Sequence, residues 1–181
     1  MIEEMRLRDL GVIAEAHLPI GPGFTAVTGE TGAGKTMVVT GLGLLMGDRA
    51  DSGAVRQGAA QAAVEGVWIV PADGAVAARV NEAGGDLDGI GGGLAELHIG
   101  RTLSAEGRSR ATVGGRQAPA GVLSDLADQL VVVHGQSEQV RLRTSAAQRN
   151  ALDRFGGAEV RDALASYRAA FDSWRSVARE A

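Results

Sequence analysis

The order of apolar and polar residues predicts strands and helices along most of the chain. Met5 and Leu7, and then residues 12–20, alternate as strands do, and the GPG at 21–23 is typical of a turn. We therefore expect an N-terminal pair of strands. The run FTAVT (24–28) is rich in residues that favour strands and ends in glycine, so it predicts a short buried strand.

The middle of the chain continues this alternation. Residues 63–70 predict a strand and residues 74–83 a short helix, and GIGGG at 89–93 is interpreted as a flexible loop. Residues 94–104 and 108–113 are strand-like runs with a turn between them, which is typical of a hairpin.

A further helix and strand are predicted downstream of the hairpin. Pro119 suits the first turn of a helix, and that helix would carry its apolar face on Val122, Leu123, Leu126 and Leu130. The run LVVVHGQ then predicts a buried strand that leads into a loop.

The C-terminal segment has a different pattern. Apolar residues recur there at spacings of 4, 3, 4, 3 and 4, at Val160, Leu164, Tyr167, Phe171, Trp174 and Ala178. This seam is typical of a coiled coil, although an amphipathic helix packed on its own domain has a similar spacing. Fewer than three heptads do not decide between the two. The pattern continues to the last residues, so we expect a longer coil, with a head lobe at 1–156 and the start of the coil at 157–181.

A glycine-rich loop carries the candidate chemistry. Residues 29–36 read GETGAGKT, which matches the phosphate-binding loop pattern, and apolar residues at helical spacing follow as far as Gly47. The predicted nucleotide-binding residues are Gly29, Glu30, Thr31, Gly32, Ala33, Gly34, Lys35 and Thr36. Backbone N–H groups of such a loop surround phosphate oxygens, and the N-terminus of the following helix attracts the same anion.

Lys35 and Thr36 have separate expected roles in this loop. Lys35 is the only lysine in the chain, where every other basic side chain except three histidines is arginine. A compact ammonium suits the β- and γ-phosphates better than a broad guanidinium, and the Thr36 hydroxyl would bind Mg²⁺. From this pattern alone the expected nucleotide is ATP or GTP, and the pattern does not choose between them.

Composition excludes several other classes of function. The 181 residues suffice for one core, and a formal charge of -4 gives no overall basic field for nucleic acid. The chain has no cysteine, and its three histidines are far apart, so we expect no metal site made by protein ligands alone. No stretch approaches the roughly 18 apolar residues of a membrane span. We expect a cytoplasmic protein with no membrane partner.

Half of a hydrolytic site is missing from the sequence. A P-loop hydrolase needs an apolar strand that ends in Asp, often followed by Glu, to hold magnesium and polarise water. The run LVVVHG ends at His134 instead, and no helix begins with an LSGG-like motif. We therefore expect nucleotide binding and no turnover by this chain alone.

Several segments together resemble one protein family. TGETGAGKT, a helix ending in LGLLMGDRA, GRSRATVGGRQAP, VVVHGQSEQVRL and QRNALDRFGG are similar to RecN, a bacterial DNA repair family of the structural-maintenance-of-chromosomes (SMC) class. The Ala/Gly/Arg-rich composition resembles actinobacterial members. The resemblance implies an α/β fold, the N-terminal lobe of an ABC/SMC-type ATPase head with the start of a coiled coil.

The same resemblance implies cofactors, partners and one more site residue. ATP and Mg²⁺ would be bound, and Gln136 matches the glutamine that contacts magnesium and the attacking water in such heads. An ordinary polar loop residue is the alternative for Gln136, and Gln139 is a weaker candidate. The implied partners are DNA, the protein's own C-terminal lobe and a second head in a homodimer, on the bacterial nucleoid in recombinational repair of double-strand breaks.

Three alternatives remain open from the sequence. They are a RecF-like repair ATPase without a long coil, a small P-loop kinase, and a nucleotide-dependent interaction module without catalysis. Arginines at 101, 108, 110, 116, 141, 143, 149 and 154 are candidate DNA-facing positions, with a solvated surface as the favoured alternative. Arg49 and Arg56 follow the P-loop helix and are candidates to approach nucleotide phosphate.

Overall fold

The computed structural model describes residues 1–30, 34–131 and 145–180. The chain divides by packing into two compact units, Met1–Val132 and Val133–Ala181. Within the described ranges, no helix has the length and apolar content to span a membrane. The predicted boundary between a head lobe and a coil at 156/157 stays a prediction.

One antiparallel sheet forms the framework of the first unit. Its strands are β1 (Ile2–Leu10), β2 (Ile13–Pro19), β3 (Gln61–Pro71), β4 (Asp88–Gly91), β5 (Leu94–Ser104), β6 (Ser109–Val113) and β7 (Arg116–Ala118). The strand order is β2-β1-β3-β5-β6-β7, and β4 pairs with the first residues of β5. The predicted N-terminal strand pair, the strand at 63–70 and the later hairpin are confirmed.

Three helices accompany the sheet in the first unit, and two helices make up the described part of the second. The first three are α1 (Lys35–Leu45), α2 (Ala75–Glu82) and α3 (Ala120–Leu130), with a short 3-10 helix at Ser52–Ala54. The other two are α4 (Ser145–Phe155) and α5 (Gly157–Glu180). The helices predicted after the P-loop, at 74–83 and after Pro119 are confirmed.

The core of the first unit lies on one face of the sheet. Alternate residues of a strand point to the same face, and in β3 this set includes Val64, Trp68 and Val70, all buried. Gly66 belongs to the same row, and a Cβ there would lie 2.5 Å from Cζ3 of Trp68. Glycine at 66 therefore provides the space that the tryptophan ring fills.

Helix α1 packs closely on this core. Leu44 and Leu45 are buried, and a Cβ at Gly41 would lie 2.8 Å from Cδ2 of Leu7 in β1. The glycine lets the helix approach the strand, and each buried leucine contributes about 1.5–3 kcal/mol of apolar burial. Gly47 ends the helical region at φ +92°, a conformation that favours glycine.

Two predictions of local structure are corrected. Residues 24–30 form no strand, and Phe24 is 95% exposed, so the buried strand predicted at 24–28 is wrong. A strand needs neighbours for its backbone hydrogen bonds, and none of the seven described strands pairs with these residues. The loop predicted at 89–93 is wrong in part, because Asp88–Gly91 pair with β5 as β4.

Part of the predicted strand LVVVHGQ lies outside the described residues. Leu130 is the last residue of α3, and residues 132–144 are not described. The expectation of a strand followed by a loop there stays a prediction.

The aromatic seam of α5 is exposed. Tyr167 is 63% and Trp174 is 64% exposed, and Phe171 between them is 41% exposed. Their rings form a ladder, with centroids 5.9 Å apart for Tyr167 and Phe171 and 5.6 Å apart for Phe171 and Trp174. These apolar side chains of α5 are therefore largely exposed in this chain.

Candidate nucleotide-binding site

The candidate site begins at the junction of the glycine loop and α1. Gly34 is the residue that precedes the helix, and its φ of +98° is a left-handed conformation that favours glycine. A Cβ at this position would also lie 3.1 Å from Cγ1 of Ile13 in β2. The backbone conformation and the close strand both require glycine here.

The start of α1 is suited to an anion. The first N–H groups of a helix have no acceptor within the helix, and the helix dipole places partial positive charge there. The first turn of α1 contains no acidic residue and begins with Lys35 and Thr36. The helix end therefore combines free donors with an ammonium group.

Lys35 is held at the loop by backbone oxygens. Its Nζ donates hydrogen bonds to the carbonyl oxygens of Gly29 and Glu30, each at 2.6 Å. An ammonium group carries three donors, so two bonds orient the group and the third donor can serve a phosphate oxygen. The only lysine of the chain thus begins α1 and is held at the glycine loop by the carbonyls of Gly29 and Glu30.

A cavity of about 430 Å³ adjoins the start of the helix. It is lined by Gly11, Val12, Gly34, Lys35, Thr36, Met37, Gly53 and Ala54. The Lys35 and Thr36 side is polar, whereas Val12, Met37 and Ala54 provide an apolar wall. This combination fits a ligand that has a charged end and a flat apolar end.

Long-range contacts build the apolar wall. The N–H of Gly11 donates to the carbonyl of Ala54 at 2.7 Å, and Nη1 of Arg56 donates to the carbonyl of Val12 at 2.7 Å. Gly11 has a φ of +56°, and a Cβ there would lie 2.3 Å from Sδ of Met37. The β1–β2 turn is therefore fixed to both α1 and the segment after it.

The predicted site residues are described in part. Gly29, Glu30, Gly34, Lys35 and Thr36 lie together at the start of α1, as the motif predicts. Thr31, Gly32, Ala33 and Gln136 lie outside the described residues, as does Gln139. The roles assigned to all of them stay predictions.

A protein-only metal site is absent from the described part of the chain, where no three His, Cys, Asp or Glu residues are grouped to hold a metal. A divalent ion at Thr36 would need nucleotide phosphate oxygens as further ligands. Mg²⁺ commonly binds in this manner, with few protein ligands and several from phosphate and water. The residues present therefore fit magnesium together with a nucleotide.

Sequence reasoning missed the residues of the apolar wall. Val12, Met37 and Ala54 are far apart in the chain, and no motif connects them. The only available signal was Gly11, a glycine between two predicted strands.

The candidate arginines occupy different environments. Arg49 is exposed, and Arg56 is half-buried beside Val12. Arg108, Arg110 and Arg116 are exposed, so a DNA-facing role for them stays a prediction. Arg101 is only 6% exposed, so the favoured alternative of a solvated surface is wrong for this residue, and a DNA-facing role for it stays a prediction. Its alternation with buried Ile99 and Leu103 places it on the core face of β5.

No protein-family model matches the chain, but individual proteins do. It is 57% identical to the DNA repair protein RecN of Streptomyces coelicolor over 176 residues, which cover 97% of this chain and 30% of that protein. It is 43% identical to the RecN protein of Mycobacterium tuberculosis H37Rv over 185 residues, covering 99% of this chain and 30% of the relative. The chain spans about a third of the length of these relatives.

Solved structures give the fold. An Smc head domain of Pyrococcus furiosus, with an extended coiled coil and bound to the C-terminal domain of ScpA, is similar with a TM-score of 0.64 at 20% identity. That similarity covers 98% of this chain and 48% of the other. The recombination mediator RecF with ATP has a TM-score of 0.54 at 14% identity, over 85% of this chain and 38% of that one.

The fold is thus similar to that of Smc head domains and of RecF, and the GETGAGKT motif directly precedes and enters its first helix. In sequence the chain is similar to RecN proteins, and the relatives named above from Streptomyces and Mycobacterium are actinobacterial. RecF is similar at only 14% identity, so the sequence identities favour RecN over RecF.

Proposed function

We propose that this chain is the ATP-binding N-terminal part of a RecN-like ATPase that acts in recombinational repair of DNA double-strand breaks. The observation that carries this proposal is the position of Lys35 at the first residue of α1, with its Nζ held by the loop carbonyls, beside the cavity of about 430 Å³. The identity to RecN proteins supports the process, and the Smc and RecF similarities support the head-type fold.

The nucleotide would bind with its two ends in different surroundings. Its phosphates would accept hydrogen bonds from the loop, from Lys35 and from the start of α1. The base and ribose would lie against the apolar wall formed by Val12, Met37 and Ala54. Thr36 would be the protein ligand of Mg²⁺ at the phosphates, and the metal would supply charge neutralisation there.

Hydrolysis would need groups that this chain does not supply. The attacking water must be positioned and the developing charge on the γ-phosphoryl group stabilised. Gln136 would contribute to positioning the water, and the acidic strand and the signature helix would come from a C-terminal lobe and a partner head. ATP-dependent dimerisation of heads and the holding of DNA are proposed for the longer protein, in the bacterial cytoplasm on the nucleoid.

The first test of this proposal is nucleotide affinity. Lys35→Ala should abolish ATP binding or weaken it strongly while the fold stays intact, because the ammonium group is lost from the phosphate end. Calorimetric titration with ATP and Mg²⁺ measures the affinity, and circular dichroism checks the fold. Arg168→Ala, which removes one charge from an exposed site on α5, should bind ATP as the parent does. Unchanged affinity in Lys35→Ala would remove the basis of the site assignment.

The second test is turnover. Loss of the positioning and charge-stabilising groups removes several kcal/mol of transition-state stabilisation, roughly a thousandfold or more in rate. We therefore expect the purified chain to release phosphate from ATP no faster than Lys35→Ala. Robust phosphate release above that variant would favour a P-loop enzyme that acts alone, such as a small kinase.

A further inference from the structure

A second cationic site lies on the core face of β5, away from the P-loop. Arg101 is 6% exposed and pairs in register with Val64 of β3 and Ala111 of β6, both buried. A guanidinium stays charged at any ordinary pH. An arginine in this row of apolar side chains is therefore costly unless a partner compensates its charge.

Arg101 lacks such a partner in the described structure. Its Nε and Nη1 are buried and have no hydrogen-bond acceptor among the described residues, and none of the described ion pairs includes it. Burial lowers the pKa of the Arg101 guanidinium below its ordinary value. Buried polar groups in folded proteins are almost always satisfied, so this unpaired guanidinium indicates an acceptor that is not among the described residues.

A cavity of about 400 Å³ lies beside Arg101. Its polar lining comes from Arg101, Ser109, Arg110 and Gln117, and Pro119 and Ala120 close it at the start of α3. None of its lining residues is acidic, and the first turn of α3 contains no acidic residue. An 11-residue helix therefore directs its positive end to the cavity that Arg101 lines.

We propose that this cavity is an oxyanion site that binds a phosphate group, either free phosphate or a phosphate of a nucleic acid backbone. Nη2 of Arg101, which is not among its buried unpaired atoms, is the guanidinium nitrogen that would donate to a phosphate oxygen, and the fixed positive charge attracts the anion. The N–H groups at the start of α3 and the Ser109 hydroxyl are further donors. The P-loop cavity shares no lining residue with this one, so the two sites are distinct.

The test uses inorganic phosphate in the Lys35→Ala chain, where the P-loop is disabled. Thermal unfolding is followed with and without phosphate, in a buffer otherwise free of phosphate and sulfate. Arg101→Met keeps the length of the side chain and removes the charge, and Arg116→Met removes a charge from exposed β7 as a matched control. Because the proposed ligand binds the folded chain and not the unfolded one, the Tm of the Lys35→Ala chain should rise with phosphate concentration.

The expected pattern has two parts. Without phosphate, Arg101→Met should melt at or above the Tm of its parent, because an unpaired buried charge is removed. With phosphate, the Tm of the parent and of Arg116→Met should rise, and that of Arg101→Met should not. If phosphate leaves the parent Tm unchanged, or raises it equally in Arg101→Met, the proposal is overturned. A much lower Tm for Arg101→Met without phosphate would also overturn it, since that would show an internal partner.

A second arm identifies the source of the phosphate. Binding of a short DNA duplex to the Lys35→Ala chain is measured at several salt concentrations. If Arg101→Met weakens DNA binding and reduces the salt dependence by about one phosphate contact, the site takes a backbone phosphate. If DNA binding is unchanged while the phosphate effect on Tm is lost, the site takes free phosphate. Both results support the site.

Discussion

The two tryptophans of this chain lie in its two units and have opposite environments. Trp68 in β3 is fully buried, and Trp174 in α5 is 64% exposed. The contrast extends to their surroundings, because the buried apolar cluster of the described chain belongs to the first unit. In α5, every residue with a described side chain except Leu164 is exposed. The first unit is thus stabilised by its own core, and the helices of the second unit bury little.

This difference has a direct consequence for α5. A helix of 24 residues is about 36 Å long, and isolated helices gain little stability from propensity alone. The ring contacts of Tyr167, Phe171 and Trp174 contribute only a few tenths of a kcal/mol per pair. A partner helix on this seam would supply the missing burial, as the proposed coiled coil of the longer protein would.

The largest expected contrast comes from one substitution made in both units. Leu45→Ala should lower the free energy of unfolding by about 2–5 kcal/mol, because it leaves a cavity in the core. Leu152→Ala in α4, where the side chain is 70% exposed, should change it by no more than about 0.5 kcal/mol. Urea denaturation of both variants in a Trp174→Phe background, monitored by the fluorescence of Trp68, measures both free energies of unfolding. Equal effects would show that the units share one cooperative core.

A second contrast uses two glycines with positive φ. Gly47 and Gly157 have φ values of +92° and +70°, so alanine adds backbone strain at both. Only at Gly47 would the new Cβ meet packed atoms, with Oγ of Ser124 at 2.3 Å and the Ser124 backbone nitrogen at 2.8 Å. We expect Gly47→Ala to cost about 2–4 kcal/mol of unfolding free energy.

Gly157→Ala should have the smaller of these two effects. Apart from its chain neighbours and the backbone of its own helix, no atom of the described residues lies within 4 Å of the new Cβ, so only the backbone strain of about 1–2 kcal/mol remains. That strain falls at the start of α5 and should appear as a modest loss of helical circular dichroism. A loss at Gly157 as large as that at Gly47 would show tight packing around the start of α5.

The smallest expected effect on stability is at the aromatic seam. Phe171→Glu should leave the unfolding of the first unit unchanged and weaken concentration-dependent self-association, because exposed apolar patches favour association. Ala169→Glu adds the same charge to an exposed position between the seam residues and should leave association intact. Sedimentation velocity over a range of concentrations measures this, and equal behaviour of both variants would exclude the seam as the contact.

Local sequence signals predicted much of the framework. The two-residue alternation in 63–70 and 94–104 identified β3 and β5, because the burial of one face imposes that period. Pro119 and the apolar spacing after it identified α3 for the same reason. The glycine loop identified the start of α1 and the position of Lys35 there, since both depend on a few adjacent residues.

The sequence by itself determined the features that neighbouring residues decide, which are the strand and helix periods, the position of Lys35 at a helix start and the aromatic seam. Only the tertiary structure decided which distant residues meet. It joined Gly11, Met37 and Ala54 around one cavity and buried Arg101 beside the start of α3. It also left residues 24–30 unpaired with any of the described strands. These outcomes depend on which surfaces pack together, and a residue's own neighbours in the chain carry little information about that packing.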